Sequence, residues 1–302
     1  MDYQCKNIVM WSLARFIFNH PLVAPHRARG LKRFLFWQVR SRLQKRDFIY
    51  SWIKESKFYV KNGETGLTGN IYTGLHEFSD MGFLLHVVKK EDLFIDVGAN
   101  SGSYTILAGA AIGAKTISVE PVPTTFIRLQ RNIELNNMQK RCHALNIGLA
   151  STPGVLNVTV DSDTTNHLVI GAGNDKTIQV EVQTLDLIAC GNNPVLIKID
   201  VEGWEMPVLA GGQETLNNES LLAIILELNN NGEKFGYTDS EILKFLNSHD
   251  FFEYSYHPLK RKLLRIDGKN LESGNTIFVR DIDEVLRRIE VAPRQTILGV
   301  NF

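Results

Sequence analysis

From Asp92 onward, short apolar runs alternate with amphipathic stretches. Leu93 to Val97 is apolar apart from Asp96, which predicts a buried parallel strand. The small-residue run Tyr104 to Ala111 predicts a helix, with Ser103 as its N-cap. The alternation then repeats. Lys115 to Glu120 is a second strand, followed by Pro121-Val122-Pro123 and a helix through Asn137. Arg141 to Ile147, Val195 to Ile199 and Leu221 to Leu228 are further strands. Helices start at Trp204 and at Thr238, the latter running to Ser248. Phe251 to His257 and Asn275 to Val279 are expected to close the sheet as an antiparallel pair. Gly154 to Val160 and Thr177 to Leu185 have period two and read as an inserted antiparallel pair, separated by the polar loop Asp161 to Lys176. Units of this length imply an α/β, doubly wound, mostly parallel sheet.

Upstream the pattern changes. Glu77 to Val88 reads as a helix, and the Gly- and Thr-rich stretch Phe58 to Leu75 as a small β-hairpin. Between Tyr3 and Arg46 there is no acidic residue, while Arg27, Arg29, Lys32, Arg33, Arg40, Arg42, Lys45 and Arg46 are basic. Leu31, Phe34, Leu35, Val39 and Leu43 interleave with them at helical spacing. Such a helix either docks on anionic lipid or a lipid-linked polyanion, or caps the main domain with its charges in water. Ile8 to Phe18 is apolar but interrupted by Arg15; it is too short to span a bilayer, weak as a signal peptide, and reads as a helix. The expected organisation is a helical and hairpin extension over 1–75, a catalytic domain over 76–285 and a tail over 286–302.

Composition narrows this only slightly. At 302 residues with zero formal net charge, nothing global points to nucleic acid. Cys5, Cys142 and Cys190 have neither metal spacing nor a disulfide framework, which suits a reducing cytoplasm. A cytoplasmic protein, peripheral to a membrane at most, is the expectation.

The candidate chemistry lies at strand ends, where open α/β sheets bind ligands. After the first strand, Gly98 and Gly102 flank a tight turn of the form Asp-x-Gly-x-x-x-Gly. A dinucleotide turn has G-x-G-x-x-G with phosphates on the helix start, and Asp96 two residues before Gly98 would repel a pyrophosphate. It suits a cationic ligand with an ammonium and a sulfonium, which points to S-adenosylmethionine. Glu120 ends the second strand about twenty residues later, the spacing of a carboxylate that holds ribose hydroxyls. Asn146, ending the third strand, is placed to meet an adenine edge. The fourth strand ends Lys198-Ile199-Asp200-Val201-Glu202, and its charged residues would share one face if the extended run continued.

Three pieces in this order resemble the FkbM family of S-adenosylmethionine-dependent methyltransferases. They are Ile95 to Thr105, Glu120-Pro121-Val122-Pro123-Thr124-Thr125-Phe126 with Leu129 and Asn132, and Lys198-Ile199-Asp200-Val201-Glu202-Gly203-Trp204-Glu205. The resemblance covers roughly residues 80–230. It implies a class I, Rossmann-like methyltransferase fold with a seven-stranded sheet, and O-methylation of a hydroxyl on a sugar, glycolipid or related natural product. It adds Asn100, Tyr104, Thr105 and Asp200 to Asp96, Gly98, Gly102, Glu120 and Asn146 as cofactor contacts. Family members commonly carry an Asp after the third strand; here the sequence is Gly148-Leu149-Ala150-Ser151, so no acid is offered to adenine.

An alcohol acceptor needs its proton removed or its oxygen bound to a metal. Asp200 is the first candidate base, with Glu202 and the loop residue His167 next. Asp200 and Glu227 could instead ligate a divalent cation such as Mg²⁺. Competing classes are a nicotinamide-dependent oxidoreductase, disfavoured by the Asp96 spacing, and a catalytically inactive binding module. Methylation of protein, nucleic acid or another small molecule is a third; no Asn-Pro-Pro-Tyr-like segment of the base and amide N-methylating enzymes follows the fourth strand. The expected partners are a small-molecule or glycan acceptor and, compatibly, a second copy of the chain.

Overall fold

The computed structural model describes residues 13–43, 47–61, 67–159, 168–169 and 177–302. Helix α1 (Arg27–Leu43) is followed by the antiparallel strands β1 (Phe48–Ser51) and β2 (Lys57–Val60). The hairpin thus lies upstream of where the Gly- and Thr-rich stretch placed it. Stacking of Tyr50 on Phe58 and of Trp52 edge-on to Phe58 holds the pair, an aromatic contribution worth more than turn composition. The stretch itself forms a short helix, α2 (Thr68–Thr73), in which the Thr73 hydroxyl donates to the Gly69 carbonyl and Gly74 closes the turn at φ +82°. Helix α3 (Phe78–Val87) agrees with the expectation.

Strand β3 (Leu93–Val97) leads into α4 (Ser103–Ile106), which widens to a π-helical turn over Leu107–Ile112. Then come β4 (Lys115–Val119), α5 (Pro123–Leu135), β5 (Cys142–Leu145) and β6 (Gly148–Leu149). Strands β7 (Gly154–Thr159), β8 (Leu168–Val169) and β9 (Thr177–Gln183) join β6 in a small sheet of order β6-β9-β7-β8. Its β7–β9 ladder is the antiparallel insertion. The rest comprises α6 (Leu185–Ala189), β10 (Pro194–Ile199), α7 (Glu205–Ala210), α8 (Gln213–Asn217), β11 (Ala223–Glu227) and α9 (Asp239–Asn247). Strands β12 (Phe252–His257), β13 (Lys262–Arg265) and β14 (Asn275–Val279), helix α10 (Ile282–Val291) and the small pair β15 (Thr296–Ile297) and β16 (Val300–Asn301) complete it.

The main sheet has the order β13-β12-β14-β11-β10-β3-β4-β5. Strands β11-β10-β3-β4-β5 run parallel, and β14 inserts antiparallel between β11 and β12. The expected seven strands are present, and β13 adds an eighth as a hairpin on β12. Strand order reverses between β3 and β10, so the chain leaves a crevice above their carboxyl ends. Alternation sends Phe94, Leu196 and Ile225 to one face and Ile95, Ile197 and Ile224 to the other. The first face packs on α3 and α10, the second on α7, α9 and the small sheet. Phe302 is buried against Phe78 and His86, which draws the chain's end into the first core.

Candidate active site

The turn after β3 shows why glycine is needed. Gly98 sits at φ +77°, and a Cβ there would lie 1.8 Å from the Asp200 carbonyl oxygen. The N–H groups of Gly98 and Ala99 both donate to the Val119 carbonyl, which draws the turn over the end of β4. Gly102, not Ser103, occupies the N-cap of α4, in the left-handed region at φ +94°. No side chain caps that end, and Ser103 instead lines the crevice. Steric fit decides the cap: a Cβ on Gly102 would meet Leu129 at 2.7 Å.

Beneath the turn, Asp96 is buried and accepts a 2.6 Å hydrogen bond from the Thr105 hydroxyl, itself 2.7 Å from that of Ser118. Burial raises the Asp96 carboxyl, against the pull of Lys198 and the Thr105 hydrogen bond. Glu120 is pinned by two backbone donors, Asn100 N–H at 3.0 Å and Val122 N–H at 2.9 Å. Burial pushes it up to about 7, although both hydrogen bonds favour the carboxylate.

At the end of β10, buried Lys198 donates to Asp200 at 2.6 Å and lies 4.7 Å from the centre of the Tyr104 ring. Burial disfavours its charge, but Asp200, Glu77 and Asp96 outweigh burial and raise it. Tyr104 donates to Glu77 at 2.7 Å, and the Asn275 amide donates to Glu77 at 3.0 Å and Asp80 at 3.1 Å. A polar chain therefore runs from Asp200 through Lys198, Tyr104 and Glu77 to Asn275.

The extended run does not continue past Asp200. Glu202 and Gly203 turn left-handed at φ +54° and +100°, because Glu205 gathers the Val201 and Gly203 N–H groups at 3.3 and 3.1 Å. That turn, not strand alternation, brings Glu202 toward Asp200, and the Asn231 amide donates to it at 3.2 Å. Among the described residues, Asp200, Glu202 and Glu227 present oxygens within 4.8 Å of one another. Glu227 is pushed up to about 9, first by burial and then by the charges of Asp200, Glu202 and Glu205. Its Oε2 is buried without a hydrogen-bond partner.

A cleft of about 310 Å³ connects these groups, a size suited to a small ligand. Asp96, Gly98, Asn100, Tyr104, Glu120, Asp200, Glu202 and Glu227 line it. Thr105 and Gly102 stand behind the wall. Asn146 is exposed, outside the cleft lining, and its amide donates to the Glu120 and Pro121 carbonyls at 2.8 and 3.0 Å, so it braces the exit of β4. His167 lies outside the described residues.

The cleft also includes residues that spacing did not single out: Asn70 on α2, Glu77 before α3, and Trp204. Asn70 is 1% exposed; its Oδ1 accepts the His76 N–H at 2.8 Å, which fixes the amide so that the unpartnered Nδ2 is its free end. The indole N–H of Trp204 is likewise buried without a partner.

Sheet order and a cleft at the β3–β10 switch point are those of the Rossmann-like, class I methyltransferase fold. A family profile described as "Methyltransferase FkbM domain" matches residues 96–253, more than half of the sequence, and the chain belongs to that family. It is 30% identical over 151 residues to hexuronic acid methyltransferase AglP of Haloferax volcanii, covering 48% of this chain and 59% of that protein. It is 31% identical over 146 residues to Methyltransferase 1 of Beauveria bassiana, covering 40% and 58%. The chain thus spans about three fifths of the length of these curated relatives. A solved structure, methyltransferase FkbM from Methylobacillus flagellatus, aligns with 63% of this chain and 43% of that one at 16% identity and a TM-score of 0.41. Among the described residues no helix is long and apolar enough to cross a membrane.

Proposed function

We propose that this enzyme transfers a methyl group from S-adenosylmethionine to a hydroxyl of a sugar, glycan or related small molecule. The observation that carries the cofactor is Glu120, an acid held by two backbone donors at the cleft wall opposite a turn that only glycine can make. In this reading its carboxylate accepts from the ribose hydroxyls. Pro121, Val122 and Leu149 give an apolar wall on the β4–β5 side for adenine. On the other side of the β3 turn, Asp96, Tyr104 and Lys198 line the cleft, and under this proposal they take the amino-acid end. The orphaned Asn70 amide is the donor for its carboxylate. When bound, the cofactor supplies an electrophilic methyl group on a sulfonium. In this reading residues 76–285 form the transferase domain, Asn70 of the N-terminal extension contributes to one cleft wall, and Ile289, Ile297 and Phe302 close the core.

Asp200 is the proposed base. Lys198 holds its carboxylate at 2.6 Å, yet its side chain keeps 30% exposure and lines the cleft, so it can take the proton of an acceptor hydroxyl. Holding donor and acceptor in line supplies much of the acceleration, about 7–11 kcal/mol where orientation is good. Similarity to the Haloferax relative, a hexuronic acid methyltransferase, supports a sugar acceptor. Methyl incorporation into a panel of hexuronic acid glycans tests this reading, and an Asp200→Asn enzyme with unchanged kcat would overturn the base assignment.

A second reading rests on the three carboxylates. Oxygens of Asp200, Glu202 and Glu227 within 4.8 Å repel one another unless a proton or a cation sits among them. This all-oxygen donor set suits a hard divalent cation such as Mg²⁺, which would polarise the acceptor oxygen. Full activity after exhaustive chelation selects the proton; activity restored by Mg²⁺ selects the cation.

A further inference from the structure

We propose that α1 docks this enzyme on anionic phospholipid bilayers. The helix turns its apolar ridge away from the protein: Leu31, Leu35, Val39 and Leu43 follow one i, i+4 line, and are 41%, 52%, 57% and 79% exposed. Phe36 stands beside them at 63%. The face that packs inward is instead Gly30, Trp37 and Ser41. Gly30 lets Val23 approach to where a Cβ would stand, and Trp37 packs on Phe48. Single exposed apolar side chains are ordinary, but five grouped on one helix form a binding surface.

Charge selects the occupant. Arg27, Arg29, Lys32 and Arg42 are exposed around the ridge, and α1 contains no acid. Because the whole chain is neutral, this positive charge is local. An apolar ridge framed only by cations matches a surface with acyl chains below and anionic headgroups above. A second copy of α1 would set cations against cations. At 17 residues, with this charge, the helix lies on the bilayer rather than through it.

Docking also positions the cleft. Arg33 donates to the Tyr72 carbonyl and Gln38 to the Tyr72 hydroxyl, so α1 packs directly on α2. Helix α2 carries Asn70 into the cleft wall. The docking ridge is therefore linked to the cleft wall through α1 and α2 in succession.

The test is flotation of the full-length protein with vesicles of phosphatidylcholine, with and without about 30% phosphatidylserine. Binding is expected only to the anionic vesicles and should fall at least tenfold in about 1 M salt, where screening is short-ranged. The double variant Leu35→Glu/Phe36→Glu and the charge variant Lys32→Glu/Arg42→Glu should each lose flotation at least tenfold. Both change exposed side chains, so circular dichroism and melting temperature should match the parent. No flotation with anionic vesicles, equal flotation with neutral ones, or variants that float like the parent would overturn the proposal. So would light scattering that shows a dimer, broken by Leu35→Glu/Phe36→Glu, in a protein that ignores vesicles.

Discussion

Gly98 states the physical logic of the site most compactly. Its φ of +77° and the Asp200 carbonyl 1.8 Å from a hypothetical Cβ leave room for hydrogen alone. Gly98→Ala should cost roughly 3 kcal/mol or more and abolish cofactor binding, which thermal denaturation and calorimetry would both register. Glu120 illustrates the opposite trade. It is held up at about 7 by burial, so the folded protein keeps a proton that the unfolded chain, with a carboxyl near 4.3, has released. Stability conferred by that proton declines as pH rises from about 4.3 through 7. Glu120→Gln removes this titration and should flatten that part of the pH dependence, but its NH2 would face one of the two backbone donors. No net stabilisation is therefore expected, while cofactor binding weakens about 10–100-fold through loss of a charged acceptor. Asp80 and Glu205, at about 7, and Glu227, at about 9, act in the same direction, each first through burial. Buried His20 and His86, held down to about 4 by burial, oppose this below about pH 6.5. The melting temperature of the ligand-free enzyme should therefore fall from about pH 6.5 to about pH 9, and Glu227→Gln should flatten the upper part of that slope. Asn70→Ala is expected to raise the KM for the donor at least about tenfold with kcat nearly unchanged, since a hydrogen bond to a charged carboxylate is worth about 1.5–3 kcal/mol.

Between elements, Asn132 on α5 does what no local pattern announces. Its Oδ1 accepts from Tyr59 of β2 at 2.8 Å, and its Nδ2 donates to the Ser101 carbonyl in the glycine turn at 2.8 Å. One buried amide thus ties the N-terminal hairpin to the cofactor loop. Asn132→Ala strands both partners and should cost roughly 2–4 kcal/mol in urea denaturation. Sequence periodicity located most elements, because strands such as Leu93–Val97 and Pro194–Ile199, buried on both faces, are apolar but for Asp96 and Lys198 near their carboxyl ends. It erred where tertiary contacts overrode local preference. Thr68–Thr73 became helical where a hairpin was expected, and Gly102 took the N-cap expected of Ser103. The helix expected over Tyr104 to Ala111 is present, finishing in a π-helical turn where Gly109 leaves room for the Met138 methyl. For α1 the spacing was right, but which face turns inward depends on Trp37, Gly30 and Tyr72, residues far apart in pattern terms.

Taken whole, the molecule collects its site from strands that lie side by side but are distant in sequence. Asp96, Glu120 and Asp200 were legible because each ends a predicted strand in a fold that binds ligands there. Glu77 and Asn70 were not, because they come from outside the alternating units and reach the cleft only through packing of α2 and α3. Asn146, also at a strand end, lies outside the cleft lining, and its amide braces the β4 exit. The clustering of Glu202 with Asp200 and Glu227 came from a left-handed turn that strand alternation does not foresee. The central claim is that this cleft is built for S-adenosylmethionine, with Glu120 holding its ribose. Isothermal titration of the full-length enzyme with S-adenosylhomocysteine, alongside NAD and the Glu120→Ala variant, addresses it directly. The account predicts one-to-one binding of S-adenosylhomocysteine, at least tenfold weaker in Glu120→Ala, and no heat from NAD. Equal affinity in Glu120→Ala, or binding of NAD in its place, would contradict it.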